Sequence, residues 1–181
     1  VCKSLAPDTG YRAGARGWWW IKLKRDYRTE LRDTMDLVVV GALYGRGRRV
    51  GVYGALLLAA YDPASDTFQT VTRCGAGFSD ADLAGLPARL APLVRADKPA
   101  RVDANQTPDV WFEPGLVIEV LAAELTPSPN YTAGRAGLGD SGLALRFPRF
   151  TGRWRDDKGP ADATTTDELV QLYRVARREA T

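Results

Sequence analysis

Leu37-Val38-Val39-Val40-Gly41-Ala42 is the continuous apolar run of β-forming residues around which the fold of this chain is organised. A second apolar segment, residues 50–61, follows a basic turn that is punctuated by glycines. A third, residues 68–73, follows the turn at 62–66. Short β-type segments separated by turns predict a β-meander for this part of the chain.

A helix is predicted to follow the third segment. Ser79 is typical of an N-cap, Asp82 comes three residues later, and leucines then recur every three or four residues. Pro87 and Pro92 favour a helix that is short or broken. The remaining predicted elements are strands at 110–113, 116–122 and 143–150, with a long irregular loop at 126–141.

A second helix is predicted at the end of the chain, where Thr165 and Glu168 have the spacing of a capping box. About five strands, with one helix inserted after the third, predict a mainly β protein. We therefore expect an OB-fold Greek-key barrel with an inserted helix and a C-terminal helix. An SH3-like barrel is the alternative, although it has no natural place for the inserted helix.

Charge and composition exclude several classes of function. The chain has 181 residues, a net charge of +3, two cysteines and no histidine. Without histidine there is no His-dependent triad and no imidazole metal site, and we expect no metal site within the chain. The two cysteines are far apart and fit a reducing compartment, and no apolar run is long enough to span a bilayer. The expected location is cytoplasmic, or nuclear in a eukaryote.

The densest basic and aromatic cluster lies near the end of the chain. It consists of Arg146-Phe147-Pro148-Arg149-Phe150 and Arg153-Trp154-Arg155-Asp156-Asp157-Lys158. Cations mixed with rings are typical of a surface that binds phosphate and presses an apolar group against a partner. An edge strand with a charged outer face is the alternative interpretation.

Two other basic segments suggest phosphate binding. Trp18-Trp19-Trp20-Ile21-Lys22-Leu23-Lys24, read as a strand, puts both lysines on one face, where an anion between them would relieve their repulsion. An edge strand whose lysines prevent aggregation explains the same pattern. Gly45-Arg46-Gly47-Arg48-Arg49 is a hairpin tip whose arginines suit a phosphate backbone.

In their order and spacing, these segments resemble the C-terminal part of an ATP-dependent DNA ligase of the archaeal and eukaryotic replicative type. The resemblance covers nearly the whole chain. In the first half of the chain it is carried by Val1-Cys2-Lys3-Ser4-Leu5, Arg16 to Lys24, Asp33 to Ala42 and Gly45-Arg46-Gly47. In the second half it is carried by Gly77-Phe78-Ser79-Asp80, Arg146 to Phe150, Arg155 to Lys158 and Ala163-Thr164-Thr165.

The resemblance implies nick sealing in duplex DNA through enzyme-AMP and DNA-adenylate intermediates, with ATP and Mg²⁺ as cofactors. It implies a nucleotide-binding role for Lys3, Arg16 and Lys22. The residues implied in catalysis are Lys22, Lys24, Arg155, Asp157 and Lys158. Lys22 and Lys24 would neutralise the α-phosphate, and Arg155 and Lys158 would orient the β- and γ-phosphates, with Asp157 orienting one of those cations.

The resemblance also implies nicked duplex DNA as the partner, and a sliding clamp bound through parts of such an enzyme that lie outside this chain. Arg146 and Phe147 would enter the minor groove at the nick as a cation with an apolar wedge. The remaining DNA-binding residues implied are Arg46, Arg48, Arg49 and Arg149. By the same resemblance, residues 1–32 are the tail of an adenylation domain with a hinge, 33–160 an OB-fold domain and 161–181 a C-terminal helix.

One expected motif is missing. The sequence contains no Lys-x-Asp-Gly, the motif that holds the nucleophilic lysine in this family, so the chain alone is expected to bind DNA without ligating it. A free-standing OB-fold module that binds nucleic acid without a catalytic role is the alternative. An RNA ligase or capping nucleotidyltransferase would share the lysine pair and Arg-x-Asp-Lys, but would not be expected to have the 146–150 pattern.

Overall fold

A computed structural model describes residues 2–7, 10, 19–21, 34–47, 50–139 and 141–179. The strands within these ranges are β1 (Cys2–Lys3), β2 (Trp20–Ile21), β3 (Met35–Tyr44), β4 (Tyr53–Asp62), β5 (Thr67–Cys74), β6 (Val94–Arg95), β7 (Val102–Asp103), β8 (Val110–Phe112), β9 (Val117–Leu121), β10 (Glu124–Ser128), β11 (Gly142–Arg146) and β12 (Arg149–Trp154). The α-helices are α1 (Asp80–Leu90) and α2 (Thr166–Glu179).

Strand β3 is the centre of the main sheet. The sheet runs in the order β12-β9-β3-β4-β5-β7, and β8 pairs with the part of β3 that β9 leaves uncovered. All of these pairings are antiparallel except that of β5 with β7. β10 and β11 form a separate antiparallel pair.

The two sides of the main sheet meet just beyond the end of β5. Ala76 forms a parallel bridge with Arg149 of β12, and the Phe150 amide donates to the Ala76 carbonyl oxygen at 2.9 Å. A sheet that curls until its sides meet buries its inner face without a second layer. The predicted mainly β, OB-type fold is confirmed, including the helix inserted after the meander β3–β4–β5.

The apolar run of β3 is continuous because both of its faces are buried. Leu37 and Val39 belong to the core inside the curled sheet. Val38 and Val40 belong to a second buried cluster on the outer face, together with Phe68. A strand covered on both faces has no need of the polar alternation that marks a half-exposed strand.

The first predicted helix is confirmed, and its proline does not break it. The Ser79 hydroxyl accepts a hydrogen bond from the Asp82 amide at 3.1 Å, and an Asp82 carboxylate oxygen accepts one from the Ser79 amide at 2.9 Å. This is the reciprocal capping box expected of these residue types. Pro87 lies inside α1, which continues to Leu90 and holds three buried leucines.

Two sequence-based boundaries are wrong. Residues 126–141 are not all loop, because the first three belong to β10, where Pro127 lies opposite Leu143. β10 is an edge strand, which tolerates a proline that donates no hydrogen bond. Residues 143–150 are not one strand either: Phe147 adopts φ 54°, and the chain breaks there into β11 and β12.

Helix α2 begins as the sequence predicts. The Glu168 carboxylate accepts hydrogen bonds from the Thr165 amide and hydroxyl at 2.6 and 2.9 Å, and the Glu168 amide donates to the Thr165 hydroxyl at 3.2 Å. Leu169 and Val170 are buried against the core, with Leu172 partly buried. In the part of the chain that the structure describes, no helix is long and apolar enough to cross a membrane.

Candidate functional site

Several predicted site residues lie outside the described part of the chain. These are Arg16, Lys22, Lys24, Arg48 and Arg49. Lys3, the remaining predicted nucleotide-binding residue, is exposed on β1, and its Cα pairs with that of Trp20 on β2. The cluster between residues 146 and 158 is described throughout, so it can be followed atom by atom.

Strand β12 carries two basic groups at opposite ends. Arg149, at its start, pairs with Leu121 of β9, and the amide of Arg155, just past its end, donates to the Val117 carbonyl at 3.0 Å. These two partners are four positions apart on β9, which is about 13 Å at the rise of a strand. The cluster that is continuous in sequence is therefore two separate sites in space.

The first group lies at the turn between β11 and β12. The Phe147 ring is 46% exposed and is held outward by a left-handed backbone, at φ 54°, which a non-glycine residue seldom adopts. The Arg146 guanidinium carbon lies 5.1 Å from the centre of that ring, and Arg149 is exposed beside it. A cation next to an exposed ring is chemically suited to a phosphate backbone and an adjacent base step.

Arg46 lies in a different turn. It follows the end of β3 and is exposed between β3 and β4, where the Gly45 amide donates to the Val52 carbonyl at 2.9 Å. The predicted DNA-binding residues that the structure describes are thus divided between the β3–β4 turn and the β11–β12 turn.

The second group surrounds Asp36. The Arg155 guanidinium makes a two-bond contact with the Asp157 carboxylate, at 2.9 Å from Nε and 2.8 Å from Nη2. Its Nη1 donates to Asp36 Oδ2 at 2.7 Å, and the Lys158 Nζ donates to the same oxygen at 2.7 Å. The structure therefore brings Arg155, Asp157 and Lys158 together, but around a carboxylate that the sequence analysis did not assign to the site.

Hydrogen bonds and neighbouring charges shift the pKa values of Arg155 and Asp157. The hydrogen bond to Asp157, and then the charge of Asp36, raise the pKa of Arg155, which therefore stays protonated. The same hydrogen bond lowers the pKa of Asp157 to about 2, although its side chain is 61% exposed. Asp157 remains an anion at neutral pH, which suits an orienting partner and not a general base.

The three rings of the basic cluster have different roles. Phe150 is buried and stacks on Phe78 with the ring centres 4.6 Å apart. Trp154 packs at 4.7 Å from Phe150, and the Arg89 guanidinium carbon lies 4.6 Å from the centre of the Trp154 ring. Two rings thus anchor β12 to the barrel and to α1, which leaves Phe147 as the ring that faces outward.

Asp36 is the member of this charged group that sequence reasoning missed. It stands within a run of apolar residues at the start of a buried strand, with its side chain 12% exposed. A carboxylate at such a position requires a cationic or hydrogen-bonding partner, because an unpaired buried charge is costly. That rule could have marked Asp36 as a paired residue, but the partners are 119 and 122 residues away in sequence.

The cations of this group are Arg155 and Lys158, and among the described residues no three His, Cys, Asp or Glu side chains converge as metal ligands. Arg155 supplies a planar guanidinium and Lys158 a compact ammonium, the two side-chain types that bind phosphate. In charge and geometry, the two side chains suit the phosphates of a nucleoside triphosphate.

The comparisons with known proteins place the chain in a family. The family model described as ATP dependent DNA ligase C terminal region matches residues 49–158. Among curated proteins, a DNA ligase of Thermoplasma volcanium is 54% identical over 182 residues, which is 100% of this chain and 31% of that protein. A DNA ligase of Caldivirga maquilingensis is 58% identical over 174 residues, or 96% of this chain and 29% of that protein.

Among solved structures, the ligase domain of LigD from M. tuberculosis superimposes with a TM-score of 0.55 at 29% sequence identity, covering 73% of this chain and 38% of that one. A mycobacterial DNA ligase D complexed with ATP and MES gives a TM-score of 0.52 at 27% identity, covering 74% and 38%. The chain spans a little under a third of the length of the curated relatives it matches.

Proposed function

Because the chain belongs to the family of ATP-dependent DNA ligase C-terminal regions, we propose that it is the OB-fold part of an enzyme that seals nicks in duplex DNA. The observation that supports this proposal is that the basic-aromatic cluster, continuous in sequence, is divided into two groups at opposite ends of β12, and that the two groups differ in chemistry. A ligase requires one surface for nucleotide phosphates and another for DNA, and the two groups match those needs.

The nucleotide-facing group consists of Arg155, Lys158 and Asp157. Arg155 and Lys158 orient the phosphates that depart as pyrophosphate, and Asp157 fixes the guanidinium plane of Arg155 through its two-bond contact. When bound, ATP supplies the adenylyl group and Mg²⁺ neutralises its phosphates. Lys3, Arg16, Lys22 and Lys24 complete the phosphate contacts in this proposal.

The DNA-facing group comprises the β11–β12 turn together with the β3–β4 turn. Phe147 acts as an apolar wedge at the nick, and Arg146 enters the minor groove beside it. Arg149 and Arg46 contact the DNA backbone, with Arg48 and Arg49 beside Arg46 in sequence. Phosphate contacts position the barrel, and the wedge selects the distorted duplex at the nick.

The division of the chain follows from the same proposal. Residues 1–32 are the tail of the adenylation domain with a hinge, 33–160 the OB domain and 161–181 a C-terminal helix. The catalytic lysine lies in the adenylation domain, since the sequence has no Lys-x-Asp-Gly. A sliding clamp would bind other parts of the enzyme, and the two free cysteines fit a cytoplasmic location.

The proposal is tested by measuring the binding of the 181-residue chain to three DNAs of equal length at one fixed salt concentration: nicked duplex, intact duplex and single strand. We expect the tightest binding to nicked duplex, because a wedge is accommodated most easily where one strand is interrupted. Preference for the single strand would contradict this and would favour a free-standing OB module.

A second measurement addresses the missing nucleophile. Incubating the chain with labelled ATP and Mg²⁺ is expected to give no covalent adduct. A chain that becomes labelled with AMP would contradict the assignment of the nucleophilic lysine to the adenylation domain.

A further inference from the structure

Asp36 holds the two cations that the proposed function assigns to nucleotide phosphates. Its Oδ2 accepts from Arg155 Nη1 and from Lys158 Nζ, each at 2.7 Å. The side chains of Asp36 and Arg155 are each 12% exposed, and that of Lys158 is 33% exposed. In this arrangement the guanidinium is packed against the barrel and is not presented to a ligand in solution.

The backbone fixes Asp36 on the barrel. Its amide donates to the Thr164 hydroxyl at 3.0 Å, its carbonyl accepts from the Thr164 amide at 2.8 Å, and it pairs with Glu119 across β3 and β9. The carboxylate therefore cannot follow Arg155 and Lys158 if they turn outward. Asp36 is a stationary anion, and the cations are the groups that move.

The charges of this group cancel. Arg155 and Lys158 contribute two positive charges, and Asp36 and Asp157 contribute two negative ones. A neutral group attracts a polyphosphate weakly compared with two uncompensated cations at the same place. Asp157 is 61% exposed and lies two residues from Arg155, so it would move together with Arg155. Two states are therefore distinguished by Asp36: a held state, in which Arg155 and Lys158 contact Asp36, and a released state, in which they do not.

The two cations use only one oxygen of the Asp36 carboxylate. The second oxygen of the carboxylate, Asp36 Oδ1, is buried and has no hydrogen-bond partner among the described residues. The held state thus gains two charge-assisted hydrogen bonds on one oxygen while it leaves the other unsatisfied.

We propose that Asp36 is an internal substitute for phosphate, which holds Arg155 and Lys158 against the barrel and releases them when a polyphosphate binds. This rests on the proposed function, because it takes these two residues as nucleotide ligands. Asp36 is the second residue of β3 and comes shortly after residues 1–32, the segment predicted to contain the hinge. Asp36 thereby regulates when the cations are available.

The test uses inorganic tripolyphosphate, which presents the phosphates without the adenosine. Asp36→Asn removes the negative charge and keeps the shape, and we expect the variant chain to bind tripolyphosphate about five-fold more tightly than the original, since one opposing charge is lost beside the ligand. Asp66→Asn, which removes an ion pair with Arg101 elsewhere on the surface, is the matched control and should leave the affinity unchanged. Unchanged or weaker binding by Asp36→Asn would overturn the proposal.

A second measurement needs no substitution. In the original chain, the side-chain carboxyl carbon of Asp36 is followed by NMR during the tripolyphosphate titration. We expect its signal to shift in step with those of Arg155 and Lys158, because all three lose the same contact. An Asp36 signal that stays in place while the two cations respond would overturn the exchange even if Asp36→Asn fails to fold.

Failure of this inference is distinguishable from failure of the proposed function. If Arg155→Ala abolishes tripolyphosphate binding while Asp36→Asn does not strengthen it, the nucleotide site stands and the substitute role of Asp36 falls. If Arg155→Ala and Lys158→Ala both leave binding unchanged, the assignment of these residues to phosphate falls, and the inference with it.

Discussion

A β-carbon placed on Gly77 would overlap the carbonyl oxygen of Phe150, and it would lie 2.6 Å from the Phe150 amide nitrogen. This close approach lies where the two sides of the sheet meet. There the Phe150 amide donates a hydrogen bond to the carbonyl oxygen of Ala76, the residue before Gly77. Gly77 also has φ 94°, a conformation that side chains with a β-carbon rarely adopt. Closure of the barrel therefore depends on a glycine at position 77.

We expect Gly77→Ala to lower the free energy of unfolding by roughly 2–4 kcal/mol, from left-handed strain and overpacking against backbone. The measurement is denaturant unfolding of the chain. Gly85→Ala is the matched control, because Gly85 lies exposed inside α1 with open space at its β-carbon position. It should raise stability by about 0.5–1 kcal/mol. Equal effects of the two substitutions would contradict this account of the closure.

The two cysteines should differ sharply in reactivity. Cys74 is fully buried, and burial raises the pKa of its thiol to about 11, whereas Cys2 is exposed. A thiol-specific reagent at pH 8 should modify one thiol quickly in the native chain and the second only on unfolding. Cys2→Ser should abolish the fast phase, and Cys74→Ala should leave it intact. Two fast thiols in the native chain would contradict the buried position of Cys74.

The raised pKa of Cys74 also predicts that the free energy of unfolding decreases at high pH. The folded chain keeps its thiol proton where the unfolded chain begins to lose it. The contribution of this group is therefore complete below about pH 9 and is lost as the pH rises towards 11. Comparing the original chain with Cys74→Ala across that range isolates the effect, since the variant should lack this loss.

Asp157 should remain ionised in acid. Its hydrogen bonds with Arg155 lower its pKa to about 2, so its side-chain carboxyl carbon, followed by NMR, should show an ionised group at pH 3. In Arg155→Ala the midpoint should rise towards the ordinary value near 3.9. The stabilising contribution is present above about pH 4 and is lost as the pH falls towards 2. A midpoint near 4 in the original chain would show that the contact does not persist in solution.

Phe147 should show a conflict between stability and binding. Its left-handed backbone costs about 1 kcal/mol, a strain that Phe147→Gly relieves and Phe147→Ala retains. Both substitutions remove the exposed ring, so both should weaken binding to nicked duplex to a similar extent. The glycine variant should nevertheless be more stable than the alanine variant, by up to about 1 kcal/mol. Unimpaired binding to nicked duplex in either variant would contradict the assignment of Phe147 as the wedge.

The local elements were predictable from the sequence because their signals are local. The capping boxes at Ser79 and Thr165 are three-residue patterns, and the structure has both helices starting where those patterns predict. The meander was predictable for the same reason, since turns and apolar runs alternate along the chain. The break at Phe147 was not, because a left-handed residue before Pro148 runs against the usual preference for an extended conformation there.

The candidate site was only half predictable. The residue types of Arg155 and Lys158 suggested phosphate binding. The sequence does not show that both side chains form ion pairs with a carboxylate that lies 119 residues before Arg155. Nor could it show that Phe150 and Trp154 pack inward while Phe147 faces outward. Both facts depend on how β12 is laid against β9 and β3, which is a tertiary relationship.

The central claim is that the two ends of β12 serve different steps of one reaction. It can be tested in a chimera in which this chain replaces the matching 182 residues of the Thermoplasma volcanium DNA ligase. Two single-turnover rates are measured, that of enzyme adenylation by ATP and that of sealing a pre-adenylated nick. We predict that Arg155→Ala slows adenylation by about 100-fold or more and sealing far less. Phe147→Ala should slow sealing and leave adenylation largely intact. Equal losses in both rates for both variants would contradict the claim.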